Sequence, residues 1–295
     1  MGTIEKEPVV NLQKLHHSKK QTNEIFSKQL TIAIRLSPYL ASSLMYWFHY
    51  HDSGMRIEPA TKEKSLSAHF LKLLHQGQPK AEHVKALDVS YILYAEHEFN
   101  ASTFAARVCS ATMSDFYGAT TAAMATLRGF LHGGANEAAS DLITSFQNAD
   151  DAKVGILNKL KKKELIMGFG HRVYTESDPR SDVIKAYAKS LATTEKDKNL
   201  YNIAETIEKT MWDEKKIFPN LDFYSALVYK KLEVAIDMFT PLFVFSRMFG
   251  WSAHIMEQRA DNKLIRPNAE YIGPDPREYK AIGDRNKSTI DADVS

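Results

Sequence analysis

Apolar residues recur every three or four positions along most of the chain, as they do on one face of an α-helix. Leu30, Ile34 and Leu44 follow this spacing. We expect a helix there, over residues 24–50, with an interruption at Pro38. Runs that alternate apolar and polar residues, which would indicate strands, are nearly absent, so the pattern predicts an almost all-α fold. Further helices are predicted over 67–75, from a cap at Asp88, over 101–130, from Asp182, over 200–211, and from Thr240.

The helix predicted after Thr240 is unusually apolar from Leu242 to Ile255. We expect it to be buried on most sides. Arg247 lies inside this stretch and therefore needs an anionic partner. The tail from Arg266 onward is polar, and we expect it to follow the surface.

The 295 residues are enough for a large core, and their formal net charge is only +2. Nucleic-acid-binding proteins usually show a concentrated excess of basic residues. The nearly equal numbers of basic and acidic residues here therefore do not indicate a nucleic-acid-binding protein. The single cysteine, Cys109, allows no disulfide within the chain. The first residues lack the apolar core of a secretory signal, and no apolar stretch is long enough to span a bilayer. We expect a cytoplasmic protein that binds neither nucleic acid nor membrane.

Three stretches rich in Gly, Pro, His and charge break the helical pattern, at 130–137, 168–180 and 218–225. Taken singly, their polar residues have ordinary interpretations: His132 as a helix-end histidine, His171 as a loop histidine, and Asp222 as a helix cap. The pair Gly168 and Gly170 lacks the frame of a phosphate-binding loop. There is no HExxH or paired cysteine, so we expect no metal site.

Together, these stretches form an ordered set of motifs. LHGGANE, GFGHRVYTESDPR, PNLDFYSA and TPLFVFSRMFGWSAHIMEQRADNKLIRP follow YAEHEFNASTFAAR in the order and approximate spacing of the citrate synthase family. The chain resembles this family from about residue 30 to about residue 285. The sequences of three stretches most resemble those of its 2-methylcitrate synthase branch: YAEHEFNAST, MFTPLFVFSR and EQRADNKLIRPNAEYIGP.

The resemblance implies condensation of an acyl-CoA with oxaloacetate and water through an enol or enolate. Asp222 matches the base that removes the α-proton of the acyl-CoA. His132 matches the group that hydrogen-bonds the thioester oxygen, and His171 matches the acid that protonates the oxaloacetate carbonyl. The residues implied to bind oxaloacetate are His97, Arg180, Phe243, Arg247 and Arg266. The residues implied to bind coenzyme A are Leu165, Ile166, Met167, Gly168, Phe169 and, provisionally, Lys215.

The resemblance also implies a domain arrangement. A large helical domain would comprise residues 1–131 and 228–295, and a small helical domain, residues 132–227, would close over oxaloacetate. Arg266 would reach the site from the neighbouring subunit of a homodimer. The acyl-CoA would be a substrate, and no permanently bound cofactor is implied. Family members usually carry a further N-terminal block before SLMYWFHYHDSGMRIEP, which we expect this chain to lack.

Three functions stay open at this point. The first is condensation of propionyl-CoA to 2-methylcitrate. The second is condensation of acetyl-CoA to citrate, which Arg172 favours because that residue is more typical of citrate synthases. One methylene is worth only about 1–3 kcal/mol in a binding pocket, so both acyl-CoAs are plausible substrates. The third is an inactive homologue that binds dicarboxylates or a full-length partner, since the N-terminal block is expected to be missing.

Overall fold

The structure is a computed structural model that describes residues 19–129 and 132–284, and the chain divides into two units. The second unit, residues 265–295, has a 3₁₀ turn at Ile282–Asp284. The first unit, residues 1–264, contains eleven α-helices in its described part: α1 Lys19–Ser53, α2 Leu66–His75, α3 Ala81–Tyr94, α4 Ala101–Ala111, α5 Phe116–Leu127, α6 Ala135–Thr144, α7 Ala149–Lys161, α8 Pro179–Leu191, α9 Glu195–Lys215, α10 Leu221–Lys231 and α11 Phe239–Ala260.

The predicted all-α fold is confirmed. Within the described residues the nearest approach to a strand is one isolated bridge between Phe169 and Pro219. None of the helices in the same residues combines the length and the apolar character that crossing a membrane requires.

Helix α11 lies at the centre of the core and packs against α1, α3, α4 and α5. Leu242, Phe245, Trp251 and Ile255 on this helix are all buried. The prediction that this stretch is buried on most sides is therefore confirmed.

Several predicted helix boundaries are wrong. Helix α3 already begins at Ala81, so Asp88 lies inside it and accepts a hydrogen bond from Ser67 Oγ (3.0 Å). The stretch predicted as one helix over 101–130 is two helices, because the chain turns at Met113 with φ of 63° and Asp115 caps α5. Pro38 does not interrupt α1 but lies within it.

Two more helices begin before the predicted residue. Helix α8 starts at Pro179. Its cap is Asp178, which lies four residues before the predicted cap Asp182. Helix α11 starts at Phe239, and Thr240 does not cap it. The Thr240 hydroxyl instead donates to Glu137 Oε1 (2.5 Å), a tertiary contact that sequence alone does not reveal.

The Asp178 side chain joins α8 to α10. Its Oδ1 accepts from the backbone N–H and Nε of Arg180, each at 3.0 Å, and its Oδ2 accepts from Arg180 Nη2 at 2.8 Å. The same Oδ2 accepts from the backbone N–H of Leu221 at 3.0 Å. Burial raises the pKa of Asp178, but the hydrogen bonds and charge of Arg180 outweigh burial and leave that pKa lowered. One ionised carboxylate therefore fixes the first turns of both helices.

Helix α11 holds the loop that follows α3. Arg247 Nε donates to the carbonyl of Tyr94 (2.6 Å), and the Gly250 N–H donates to the carbonyl of Ala95 (3.0 Å). A Cβ at Gly250 would lie 2.2 Å from that carbonyl oxygen, so the backbones approach this closely only at glycine. These bonds fix the loop that carries His97.

We predict that Asp178→Asn lowers the free energy of unfolding by about 3–5 kcal/mol at pH 7, because it leaves the Arg180 guanidinium without its carboxylate. The side chain of Asp178 is 0% exposed and that of Arg180 15% exposed. Urea unfolding followed by circular dichroism measures this change. Asp182→Asn, an exposed acidic residue in the first turn of the same helix, is the matched control.

The decrease in the free energy of unfolding caused by Asp178→Asn should also depend on pH. Because folding lowers the pKa of Asp178, its contribution is complete above the unfolded pKa of about 3.9 and is lost as pH falls towards the folded pKa. The difference between Asp178→Asn and the unaltered protein should therefore shrink below about pH 4. Equal unfolding free energies at pH 7 would contradict this role for Asp178.

Candidate active site

Two segments far apart in sequence are fastened together beneath the site. The Gly170 N–H donates to the carbonyl of Phe218 (2.8 Å), and the Asn220 N–H donates to the carbonyl of Gly168 (2.9 Å). Gly168 has φ of +86°, and a Cβ there would lie 3.0 Å from the Phe223 side chain. Residues 168–170 lead to His171 and residues 218–220 lead to Asp222, so this pairing sets both positions.

Asp222 occupies the first turn of α10. The cap of this helix is Asn220, whose Oδ1 accepts from the Asp222 N–H (3.1 Å), so the interpretation of Asp222 as the cap is wrong. Its carboxylate Oδ1 accepts from the hydroxyl of Tyr94 at 2.6 Å. Burial raises the pKa of Asp222, and the Tyr94 hydrogen bond and the charges of Arg180 and Arg247 offset this only in part. Asp222 is therefore a stronger base than an ordinary carboxylate.

His132 faces α4. Its Nε2 lies 3.3 Å from the backbone nitrogen of Ser102 and 2.9 Å from Ser102 Oγ. A backbone N–H can only donate, so Nε2 accepts that bond and a neutral ring carries its proton on Nδ1. Burial and then the charge of Arg247 lower the pKa of His132, which keeps the ring neutral at pH 7. His132 is thus a neutral donor through Nδ1.

His171 is oriented by its own loop. Its Nδ1 accepts from the backbone N–H groups of Val173 (3.1 Å) and Tyr174 (3.2 Å), so the neutral ring carries its proton on Nε2. Arg180 Nη2 lies 3.5 Å from this Nε2. Two N–H donors cannot bond each other, but both can donate to one oxygen atom of a ligand. Burial and then Arg180 lower the pKa of His171.

His97 stacks on His171, with ring centroids 4.6 Å apart and planes at 15°. Its Nε2 is buried and has no hydrogen-bond partner among the described residues. Burial, followed by the charges of Arg180 and other neighbours, lowers the pKa of His97 to about 4. The ring is therefore neutral at pH 7, and Nε2 retains the capacity to bond a ligand.

Arg247 is a buried cation without a counterion from the described part of the chain. Arg247 is 3% exposed. Its Nε donates to the Tyr94 carbonyl, and its guanidinium carbon lies 4.8 Å from the centre of the Phe243 ring. Burial and then repulsion by Arg180 lower its pKa to about 10. An unpaired buried cation is costly, so this site favours an anion.

The ring of Phe243 lies near both Tyr94 and His132. Its ring centre lies 4.6 Å from that of Tyr94 and 6.3 Å from that of His132. The structure thus groups seven of the predicted residues around one region: His97, His132, His171, Arg180, Asp222, Phe243 and Arg247.

The residues predicted for coenzyme A are placed less uniformly. Phe169 packs on Phe223 with ring centroids 4.6 Å apart, whereas Leu165 is exposed. Lys215 is the exposed last residue of α9, and no contact among the described residues links it to the site. Arg266 is exposed and belongs to the second unit. The roles of these residues stay predictions.

Sequence reasoning missed four residues that orient this site: Asp178, Tyr94, Ser102 and Asn136, whose Nδ2 donates to Tyr94 Oη at 2.9 Å. Asp178 had a detectable signal, because Asp followed by Pro is a strong helix start. Asn136 and Ser102 lie inside the quoted motifs, but nothing in their spacing reveals their partners. Tyr94 looks like an ordinary core tyrosine.

Comparison with known proteins gives one consistent result. The family model for the citrate synthase C-terminal domain matches residues 7–268. The 2-methylcitrate synthase of Shewanella oneidensis is 48% identical over 260 residues, which cover 88% of this chain and 69% of that protein. Citrate synthase 2 of Bacillus subtilis is 46% identical over 253 residues, covering 86% of this chain and 68% of that protein.

Solved structures agree. Citrate synthase from Thermotoga maritima superposes with a TM-score of 0.79 at 33% identity, covering 91% of this chain and 75% of that one. Citrate synthase from Thermoplasma acidophilum, in a ternary complex with carboxymethyl coenzyme A and oxaloacetate, also gives 0.79, at 31% identity and 93% and 72% coverage. The chain therefore belongs to the citrate synthase family.

Proposed function

We propose that this chain condenses an acyl-CoA with oxaloacetate and water, releasing a tricarboxylate and free coenzyme A. The observation that carries the proposal is a half-buried carboxylate base, Asp222, grouped with an unpaired buried cation, Arg247, and a pair of N–H donors on His171 and Arg180. The Thermoplasma relative was solved with oxaloacetate and a coenzyme A derivative, which supports the same substrates here.

Oxaloacetate suits the cationic side of the site because it carries two carboxylates and a keto oxygen. The guanidinium of Arg247 has no carboxylate partner among the described residues and can bind one of the carboxylates through two hydrogen bonds. Arg180, held by Asp178, supplies a second cation. His97 Nε2 is the further polar atom that a carboxylate or the keto oxygen would satisfy.

Proton removal is assigned to Asp222 acting with His132. An α-proton next to a thioester is weakly acidic, so abstraction requires both a raised base pKa and stabilisation of the developing oxyanion. Burial supplies the first by raising the pKa of Asp222. The Nδ1–H of neutral His132 supplies the second.

Bond formation is assigned to His171. As the enol carbon attacks the keto carbon of oxaloacetate, the keto oxygen takes the proton from Nε2. Two backbone N–H groups already donate to Nδ1, and Arg180 lies beside Nε2, so the ring is stabilised as it loses this proton. Water then hydrolyses the thioester of the adduct.

The site residues fall on both sides of the predicted domain boundaries, which supports closure. His97, Phe243 and Arg247 lie outside residues 132–227, whereas the base and His171 lie inside. Closing the small domain over oxaloacetate would exclude water from the residues grouped there. We retain a homodimer with Arg266 crossing the interface, and residues 165–169 as the coenzyme A segment, within this proposal.

Propionyl-CoA is the proposed acyl donor, supported by the 48% identity to the Shewanella 2-methylcitrate synthase. Acetyl-CoA is the second candidate. It is favoured by Arg172 and by the 46% identity to citrate synthase 2 of Bacillus subtilis.

We predict a higher kcat/KM for propionyl-CoA than for acetyl-CoA, by about 10-fold or more, because one methylene contributes about 1–3 kcal/mol. Thiol release in the presence of oxaloacetate measures both substrates. A higher value for acetyl-CoA would reverse the assignment in favour of citrate formation. Folded protein that releases thiol from neither would contradict the condensation itself and favour the inactive homologue.

We predict that Asp222→Asn lowers kcat by about 10²–10⁴-fold, the usual contribution of a general base. The amide keeps the volume and can still accept from Tyr94, so oxaloacetate binding measured by calorimetry should change little. Asp213→Asn, an exposed residue near the end of α9, is the matched control. Near-normal turnover in Asp222→Asn would remove Asp222 as the base.

A further inference from the structure

The carboxylate of Asp222 is held by a buried phenol. Tyr94, at the end of α3, donates to Asp222 Oδ1 at 2.6 Å and is 2% exposed. Its ring packs against Phe243 and Tyr229, with centroids 4.6 Å and 6.4 Å away. The aromatic neighbours leave the hydroxyl little freedom to point elsewhere.

The proton of this hydroxyl can be placed by counting donors. Asn136 Nδ2 lies 2.9 Å from Tyr94 Oη and 2.6 Å from Ser225 Oγ, so its two hydrogens go one to each oxygen. Tyr94 Oη also lies 2.6 Å from Ser225 Oγ. If Tyr94 donated its hydrogen to Ser225, its oxygen would face Asp222 Oδ1 at 2.6 Å with no proton between two acceptors, so the Ser225 hydroxyl donates to Tyr94 Oη instead. The single hydrogen of Tyr94 is then left for Asp222.

The opposite orientation of the Asn136 amide is ruled out by the carboxylate. An amide oxygen facing Tyr94 would take the phenol hydrogen, and the Tyr94 oxygen would then face Asp222 Oδ1 with no proton between two acceptors. The chain of donors therefore runs from Asn136 through Tyr94 to Asp222. A phenol that accepts one hydrogen bond donates a stronger one.

We propose that Tyr94, polarised by Asn136, is a positioning residue that orients the half-buried Asp222 carboxylate and keeps it ionised. This rests on the proposed role of Asp222 as the base. Burial alone favours the neutral acid, which cannot remove a proton. A hydrogen bond to the charged form opposes that effect while leaving the second oxygen of the carboxylate available.

Other charged groups around Asp222 change its pKa through their charge alone, without a hydrogen bond to its carboxylate. Arg180 and Arg247 favour the ionised carboxylate from α8 and α11, and Asp178 disfavours it. Tyr229, on the same helix as Asp222, shares its hydroxyl hydrogen bond with Ser90 Oγ at 2.6 Å. Tyr94 is therefore the residue whose removal tests the direct bond.

We expect Tyr94→Phe to move the acidic limb of the kcat/KM–pH profile upward by about one pH unit, because losing the donor raises the pKa of Asp222. The matched control is Tyr229→Phe, which removes a neighbouring buried hydroxyl with a hydrogen bond of equal length. It should lower stability similarly and leave the limb in place. If the acidic limb of the kcat/KM–pH profile lies at the same pH in Tyr94→Phe and in the unaltered protein, the proposal is overturned.

A second measurement does not depend on turnover. In protein with ¹³C-labelled aspartate, the Asp222 carboxyl resonance is the one absent from Asp222→Asn, and its titration should shift upward in Tyr94→Phe. If the unaltered protein releases no thiol yet this shift is present, the proposed function fails and the inference stands. If thiol is released and the titration is unchanged, only the inference fails.

Asn136→Ala tests the remote end of the chain of donors. It leaves the Tyr94 hydroxyl in place but removes one of its two donors, so the Asp222 titration should shift in the same direction by less than in Tyr94→Phe. An unchanged titration in Asn136→Ala would overturn the part assigned to Asn136.

Discussion

The arrangement of the site depends on one buried carboxylate, that of Asp178. It accepts from the backbone and side chain of Arg180 at the start of α8 and from the Leu221 N–H at the start of α10. Because a carboxylate accepts along fixed directions, these bonds set the two helices that carry Arg180 and Asp222 relative to each other. Arg180 thereby keeps a counterion, and Arg247 becomes the buried cation that an anionic substrate would neutralise.

The buried Arg247 and the half-buried Arg180 also affect the protonation of the histidines. Burial and arginine charge together lower the pKa values of His97, His132 and His171. Neutral rings are what the hydrogen bonds require, because the backbone N–H groups of Ser102 and Val173 need an unprotonated ring nitrogen as acceptor. The positive field thus keeps the rings neutral, and the backbone N–H groups determine which nitrogen of His132 and of His171 donates.

Sequence predicted the fold class and the family motifs well but placed helix ends poorly. Asp88 and Thr240 have the chemistry of caps, yet their side chains are used in tertiary bonds to Ser67 and Glu137. Helical spacing comes from local chain geometry, whereas those bonds depend on helices far apart in sequence. For the same reason the site motifs could be recognised, while Tyr94 and Asn136 could not be assigned to Asp222 before the helices were assembled.

Tyr94 links the two halves of the proposed reaction. Its carbonyl accepts from Arg247 Nε, on the side assigned to oxaloacetate, and its hydroxyl donates to Asp222, the group assigned to the acyl-CoA. The orientation of the base is therefore set by α3 and α6, and not by α10 alone. Because Tyr94 lies outside residues 132–227 and Asp222 inside, this hydrogen bond crosses the predicted domain boundary. The base is therefore directed by the packing of α3 against α10 as much as by the helix that carries it.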